Sequence, residues 1–244
     1  MRVHVAFNDP RQPSEPRSVA EKTAQFTGAV ALVDVFRSSA TIVEALDNGA
    51  LSVVPCSSPE QAIEIKKKYG EHEVLLCGEQ WGVTPKGFDL NISPRDMEQS
   101  VVNGKIIIYC STNLTRILAT CNFAETIIVA GFTNAKAAAR YLRGEDVDNV
   151  VIVACGVHDM IALEDVVGAG AIVNELSNED LTDAARLALL AYRNPEWKTH
   201  VLNDRVATYL KKIGFGEDLP YCIRENKSSI VPIYVDGRLV PIVK

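Results

Sequence analysis

The residues that could carry out chemistry are concentrated where predicted strands end. In residues 30–46, VALVDVFRSSATIVEAL, an apolar run typical of a buried strand carries one acid, Asp34, and is followed by Arg37, Ser38, Ser39 and Thr41. An unpaired charge inside a strand is costly, so Asp34 needs an arginine, a hydrogen-bond network or a metal ion. The segment therefore predicts either a metal ligand or a structural pair between Asp34 and Arg37.

A second junction of the same kind follows the apolar run KIIIYC. Its polar residues are Ser111, Thr112, Asn113, Thr115 and Arg116. At both junctions hydroxyl residues stand at a predicted helix start, where backbone N–H groups can bind a phosphate or sulfonate oxygen and an arginine adds a bidentate contact. Two such junctions would suit a substrate with two anionic groups. The alternative is that the hydroxyls are ordinary helix caps worth ~1 kcal/mol each.

Carboxylates at the same strand ends indicate a metal. Glu79 follows the strand VLLCG, and Glu164 and Asp165 lie in the first turn of a helix that follows the strand NVVIVACG. Hard oxygen ligands of this kind, completed by water and phosphate, usually hold Mg²⁺. Glu164 and Asp165 could instead complement the helix dipole. His158, at the same rim, is a candidate acid or base, with a surface role as the alternative.

The segment of residues 78–94, GEQWGVTPKGFDLNISP, has too many glycines and prolines for a regular element. A loop of this length after a strand is often a lid or a binding loop, in which Lys86 and Asp89 could reach the substrate. It could equally be a structural crossover with Trp81 and Phe88 packed beneath it.

The apolar pattern predicts the elements that must position these residues. Strands are predicted at 3–7, 30–36, 51–56, 74–78, 105–110, 126–131 and 149–156, and helices at 39–48, 59–69, 112–120, 135–142 and 163–176. This alternation predicts an α/β fold with a mainly parallel or mixed sheet, helices on both faces, and a site beyond the carboxyl ends of the strands. C-terminal helices at 182–192 and 196–213 and a terminal hairpin turning at 236–237 follow. We predict one unit over 1–244, or two subdomains with the site between them.

Composition limits the function classes. The 244 residues are 47% hydrophobic, carry a net charge of -6 and have scattered basic residues, which argues against nucleic acid and anionic membranes as partners. Six isolated cysteines indicate a reduced, cytoplasmic protein, and no apolar run approaches the ~20 residues of a membrane span. There is no GxxxxGK[ST], GxSxG or HExxH motif, so nucleotide binding has little support. A homo-oligomer is left open.

Five stretches together resemble the 2-phosphosulfolactate phosphatase (ComB-like) family. They are ALVDVFRSSATIVEALDNGA, GEQWGVTPKGFDLNISP, STNLTRIL, ALEDVVGAGAIVNEL and HVLNDRVATYLKKIGFGEDLPYCIRENKSSIVPIY, and they span most of the chain. The resemblance implies a Mg²⁺-dependent phosphomonoester hydrolase that converts (R)-2-phospho-3-sulfolactate to 3-sulfolactate and phosphate, a step in coenzyme M biosynthesis. The chain departs from the family pattern at Gln80, Asn91, Ile92 and Leu114, which makes the substrate less certain than the family.

The residues and the resemblance together predict phosphoryl transfer to water. The expected catalytic residues are Asp34, Glu79, Asp89 and Glu164, and the expected metal ligands are Asp34, Glu79, Glu164 and Asp165. The expected substrate ligands are Arg37, Ser38, Ser39, Thr41, Ser111, Thr112, Asn113, Thr115 and Arg116. The alternatives are an enzyme acting on another small phosphorylated acid and a non-catalytic anion-binding homologue. Because the acids are all present, an enzyme is favoured.

Overall fold

A computed structural model describes residues 1–7, 28–69, 74–121, 124–158 and 160–243. Its ten strands form one sheet in the order β4-β5-β3-β10-β9-β6-β2-β7-β1-β8. The strands are β1 Arg2–Phe7, β2 Gly28–Val33, β3 Ser52–Cys56, β4 Val74–Gly78, β5 Ile106–Cys110, β6 Thr126–Ala130, β7 Asn149–Ala154, β8 Asp180–Leu181, β9 Ile230–Val235 and β10 Arg238–Val243. The predicted α/β class with a mixed sheet and a terminal hairpin is confirmed.

The hairpin β9–β10 lies in the middle of the sheet and separates two parallel groups. One group is β4-β5-β3 and the other is β6-β2-β7-β1-β8. The hairpin joins them through single antiparallel pairs, Leu239 with Val53 and Ile233 with Ile128. Three antiparallel junctions, β3/β10, β10/β9 and β9/β6, separate the groups, so their strands run in opposite senses. The sequence did not predict this reversal. The choice between one unit and two subdomains stays a prediction.

Ten α-helices surround the sheet in the described residues. They are α1 Ala40–Asp47, α2 Pro59–Lys66, α3 Gln99–Val102, α4 Leu114–Leu118, α5 Ala135–Gly144, α6 Leu163–Glu175, α7 Asp183–Arg193, α8 Trp197–Leu202, α9 Arg205–Lys212 and α10 Leu219–Cys222. A π-helical turn spans Val35–Ser39, and short 3₁₀ turns span Pro94–Asp96, Phe132–Asn134 and Gly216–Asp218.

Three predicted boundaries were wrong in ways that matter for the site. The strand predicted at 30–36 ends at Val33 and passes into the π-helical turn, which carries its polar residues. The helix predicted at 112–120 begins only at Leu114. The helix predicted at 196–213 is divided into α8 and α9, because the side chain of Asp204 accepts the N–H of Ala207 at 2.7 Å and starts a new helix there.

Alternate residues of β2 face different apolar clusters, which places helices on both faces of the sheet. Ala29, Ala31 and Val33 pack in the cluster that includes α5, α6 and α7, whereas Val30 and Leu32 pack in the cluster that includes α1 and α4. All six cysteines are free and buried. In the parts of the chain given above, no helix has the length and apolar character that crossing a membrane requires.

Candidate active site

A cleft of about 210 Å³ is lined by residues that follow strands of both parallel groups. Asp34, Arg37 and Ser38 reach it from β2, Glu79, Trp81 and Gly82 from β4, Ser111, Thr112 and Asn113 from β5, and Val157 and His158 from β7. Helix α9 closes the remaining side with Arg205, Val206, Tyr209 and Leu210, and Phe36 and Ile92 complete the lining. The volume lies below the roughly 300–1,000 Å³ of drug-sized ligand sites, so the cleft suits a small molecule.

Asp34 forms part of the floor of the cleft and is only 5% exposed. The hydroxyl of Ser38 donates to its Oδ2 at 2.8 Å. Burial raises the pKa of Asp34 to about 6, and the negative charge of Glu79 adds to this rise. The hydrogen bonds from Ser38 and from the backbone N–H of Leu114 act in the opposite direction. Asp34 is therefore a carboxylate at neutral pH whose proton affinity is higher than that of an exposed aspartate.

Glu79 is the second carboxylate of the floor and is 7% exposed. Its Oε1 accepts the backbone N–H of Thr112 at 2.8 Å and the Thr112 hydroxyl at 2.6 Å. Its Oε2 accepts the backbone N–H of Gly82 at 2.6 Å. Three donors from two segments thus fix the orientation of this side chain. They also explain why helix α4 starts late, because Thr112 is engaged by Glu79 instead of by the helix.

The hydroxyl residues of the two junctions support the backbone and the carboxylates. Ser38 donates to Asp34, and the Oγ of Ser39 accepts the backbone N–H of Asp34 at 3.0 Å. The Thr41 hydroxyl donates to the carbonyls of Arg37 and Ile92, at 3.0 and 2.7 Å. Neither Ser39, at the start of α1, nor Asn113, at the start of α4, makes a side-chain capping bond. The ordinary capping role considered for Ser38, Ser39 and Thr112 is therefore not what the geometry shows.

The second junction also has hydroxyls that act within its own turn. The Oγ1 of Thr115 donates to the carbonyl of Ser111 at 2.7 Å, and the Oγ of Ser111 accepts the N–H of Thr115 at 3.4 Å. Thr115 and Arg116 line a neighbouring groove instead of the cleft, together with Gln80. Ser39 and Thr41 are likewise buried outside the cleft lining.

Arg37 is fully buried, and its charge is balanced by a residue far away in the chain. Its Nη1 donates to Asp218 at 2.6 Å and its Nη2 donates to the Asn91 side chain at 2.7 Å. The guanidinium carbon lies 4.1 Å from the centre of the Phe215 ring. Ser93 donates to the other oxygen of Asp218 at 2.8 Å. The structural pair considered for Arg37 exists, but its partner is Asp218 and not Asp34.

Asp165 and Glu164 are buried and do not line the cleft. The two oxygens of Asp165 accept the backbone N–H groups of Val35 and Gly156, at 2.7 and 2.8 Å, and so join the turns that follow β2 and β7. Burial and the charge of Asp34 raise the pKa of Asp165 well above its usual value. Burial, Asp165 and a hydrogen bond with Asp204 do the same to the pKa of Glu164.

The loop of residues 78–94 divides into a part at the cleft and a part away from it. Asp89 accepts the N–H of Leu76 at 2.8 Å and pairs with Lys66 at 3.1 Å, so the structure does not bring it to the cleft. Lys86 is exposed and also lies outside the lining. Trp81 is not packed beneath the loop: it is 67% exposed and stacks on His158 at a ring distance of 4.4 Å.

His158 thus stands at the mouth of the cleft, while its neighbour Asp159 lies outside the described residues. Tyr209 links α9 to the same rim, because its hydroxyl donates to the carbonyl of Trp81 at 2.8 Å. Sequence reasoning missed Tyr209, Arg205 and Asp218 as site residues. All three come from C-terminal helical segments whose sequence pattern indicates helices and carries no signal of a site.

The described residues contain no group of three or more histidine, cysteine, aspartate or glutamate side chains placed to hold a metal. The predicted set of four metal ligands is therefore not assembled there. Two carboxylates, Asp34 and Glu79, do face one cleft, and the charge of Glu79 acts on Asp34. Mg²⁺ is commonly held by one or two carboxylates together with water and substrate phosphate. This pair fits such a cation. Asp165 is engaged by the backbone N–H groups of Val35 and Gly156, and Glu164 lies outside the cleft lining with one buried oxygen, Oε2, that has no hydrogen-bond partner.

An α/β fold that brings two buried carboxylates, hydroxyls and arginines to one small cleft defines an enzyme acting on a small anionic molecule. The chain belongs to the 2-phosphosulpholactate phosphatase family, whose model matches residues 16–237. The family resemblance of its motifs is confirmed, and with it the assignment of the chain as a phosphatase.

Three curated relatives illustrate the similarity. Each is named a probable 2-phosphosulfolactate phosphatase. The protein of Pseudothermotoga lettingae is 39% identical over 212 residues, which are 86% of this chain and 90% of the relative. That of Thermotoga maritima is 36% identical over 208 residues, 84% of this chain and 88% of the relative. That of Clostridium botulinum strain Eklund 17B is 33% identical over 216 residues, which are 86% of this chain and 90% of the relative.

Proposed function

We propose that this phosphatase hydrolyses (R)-2-phospho-3-sulfolactate to 3-sulfolactate and phosphate with Mg²⁺ as its cofactor. The observation that carries the proposal is the pair of carboxylates, Asp34 and Glu79, on the floor of one small cleft in a member of this family. The relatives' names support the substrate. With that substrate, the proposed reaction would be a step in coenzyme M biosynthesis. A cytoplasmic location and the absence of nucleic-acid and membrane partners stay predictions, as does a homo-oligomer.

Asp34 and Glu79 would hold Mg²⁺ at the floor. When bound, the cation would supply positive charge for the phosphoryl group and lower the pKa of a coordinated water. The protein's part is to fix the two carboxylates before the substrate arrives. Ser38 orients Asp34, while Thr112 and Gly82 orient Glu79. Such fixed charges lower the barrier because they need no rearrangement during the reaction.

The attacking water must be oriented by a group that lines the cleft. Asp89 and Glu164, the carboxylates expected from the sequence to do this, lie outside the lining. Asp34 or Glu79 would therefore orient the water. The buried position of both carboxylates limits competition from bulk water.

The departures from the family pattern act on different parts of the site. Ile92 lines the cleft and Asn91 holds Arg37, whereas Gln80 lines the neighbouring groove. Leu114 contributes its backbone N–H to Asp34, which any residue except proline could do. Of these four departures, Ile92 is therefore the one that can change the shape of the substrate that fits the cleft. For this reason hydrolysis of another small phosphorylated acid is the second candidate function.

The test is a phosphate-release assay with 2-phosphosulfolactate, 2-phospholactate and 3-phosphoglycerate, each with Mg²⁺ and with a chelator. We expect the highest kcat/KM for 2-phosphosulfolactate and loss of activity with the chelator. The matched variants are Asp34→Asn, which should abolish turnover, and Asp89→Asn, which should not. A higher kcat/KM for another acid would refute the substrate, and full activity in chelator would refute the cofactor.

A further inference from the structure

Helix α9 contributes a positively charged side chain, Arg205, to the cleft, and the proposed chemistry does not use it. Arg205 is the first residue of this helix, lines the cleft and is exposed. Within the described residues, neither an ion pair nor a hydrogen bond engages its guanidinium group. Tyr209, one turn further along the same helix face, is bonded to the Trp81 carbonyl and fixes α9 against the loop on the other side of the mouth.

The other arginine of the cleft, Arg37, is already held in a buried ion pair. Both terminal nitrogens of Arg37 are engaged, one by Asp218 and one by Asn91, and its face lies on Phe215. Its charge is neutralised by the Asp218 carboxylate at 2.6 Å. Among the described residues, Arg205 is therefore the lining arginine whose guanidinium makes no ion pair, whereas Arg37 has only its buried Nε without a hydrogen-bond partner.

Burial separates the two ends of the cleft. Asp34, Ser38 and Glu79 are buried at its floor, whereas Arg205 and Trp81 are exposed at its mouth. If the phosphate of a substrate lies next to the carboxylates at the floor, the anionic group farthest from the phosphate points toward the mouth. In 2-phosphosulfolactate that group is the sulfonate, because a methylene separates it from the carbon that bears the phosphate, whereas the carboxylate is attached to that carbon directly.

We propose that Arg205 binds the sulfonate of the substrate and is the residue that makes the phosphatase prefer a sulfonated phosphoester. The inference rests on the proposed function and assigns a recognition role that is separate from hydrolysis. A guanidinium group presents paired N–H donors that match two oxygens of such an anion. Arg205 is a substrate-binding residue here and takes no part in proton transfer or in bond cleavage.

The experiment compares Arg205→Gln with wild type on two substrates, 2-phosphosulfolactate and 2-phospholactate, which lacks the sulfonate. We expect kcat/KM for 2-phosphosulfolactate to fall by roughly 10- to 100-fold, as for the loss of one charge-assisted contact, while 2-phospholactate is hydrolysed as by wild type. Arg205→Lys should recover part of the loss. Lys212→Gln removes an exposed charge from the same helix outside the cleft and should change neither substrate.

Equal losses on both substrates would overturn the assignment and place Arg205 at the phosphate or in the fold. No loss on either would overturn it as well. The affinities of wild type and Arg205→Gln for 3-sulfolactate and for lactate, measured by calorimetry, test the sulfonate site independently of the proposed hydrolysis. If wild type releases no phosphate from 2-phosphosulfolactate, the proposed function fails. The sulfonate site still stands if wild type binds 3-sulfolactate more tightly than lactate and Arg205→Gln removes the difference, and it falls if that difference is absent or persists.

Discussion

Replacing Asp34 by asparagine should stabilise the protein while it removes the activity. Burial holds the pKa of Asp34 at about 6, against 3.8 for an exposed aspartate. The folded protein therefore binds this proton more tightly than the unfolded chain does. As pH rises from about 4 through 6, ionisation of the buried group lowers the free energy of unfolding, and above pH 7 the full decrease is reached. The difference in pKa corresponds to about 3 kcal/mol.

Asparagine at position 34 cannot ionise, yet its side-chain oxygen can still accept the Ser38 hydroxyl. We therefore expect Asp34→Asn to raise the free energy of unfolding by about 3 kcal/mol at pH 8, and to change it little near pH 4. For a chain of this length that is a rise in Tm of roughly 6–12 °C at pH 8. The loss of the Asp34 charge also relieves Asp165, whose pKa it raises, so the second effect has the same sign.

The measurement is urea denaturation of both proteins without Mg²⁺ at pH 8 and pH 4, followed by tryptophan fluorescence. Asp146→Asn, at an exposed position, is the matched control and should change the free energy of unfolding by less than about 0.5 kcal/mol. Mg²⁺ added at pH 8 should stabilise wild type and leave Asp34→Asn unchanged. An asparagine variant that is no more stable than wild type at pH 8, or equally more stable at both pH values, would refute the reasoning.

Two further substitutions test the surroundings of the cleft. Asp218→Asn leaves the buried Arg37 guanidinium without its counter-charge and should lower the free energy of unfolding by about 3–5 kcal/mol in urea, whereas Asp180→Asn, in an exposed pair, should cost at most about 1 kcal/mol. Comparable losses would contradict the structural role of the buried pair. Asp89→Asn keeps an acceptor for Leu76 and should leave kcat/KM unchanged in the phosphate-release assay, and a large decrease would return Asp89 to the active site.

The sequence could predict the strand-to-helix junctions because their signals are local. An apolar run of strand length, followed by polar residues and a helical pattern, is enough to place Asp34, Glu79 and Ser111 at strand ends. The continuous apolar run that buries β2 on both faces is an equally local signal. These signals identify which residues reach the cleft. They do not predict the hydrogen-bond or ion-pair partners of these side chains within the cleft.

The partners of these residues could not be predicted because they come from distant parts of the chain. Arg37 pairs with Asp218 across 181 positions, and a nearby carboxylate, Asp34, looks like the simpler partner in the sequence. The break between α8 and α9 depends on one capping aspartate, and an unbroken helical pattern hid it. The opposite senses of the two parallel groups depend on where the C-terminal hairpin inserts, which periodicity does not specify.

The charge at the floor of the cleft is opposite to the one that the two junctions predicted. Their hydroxyls support carboxylates, so the floor presents two negative charges where the sequence predicted two sites for anions. An anionic phosphoester would be repelled by Asp34 and Glu79 unless a cation lay between it and them. Substrate binding in the proposed function therefore depends on Mg²⁺ at the floor, with Arg205 supplying the opposite charge at the mouth. Under this arrangement the metal is required for affinity as well as for the chemical step.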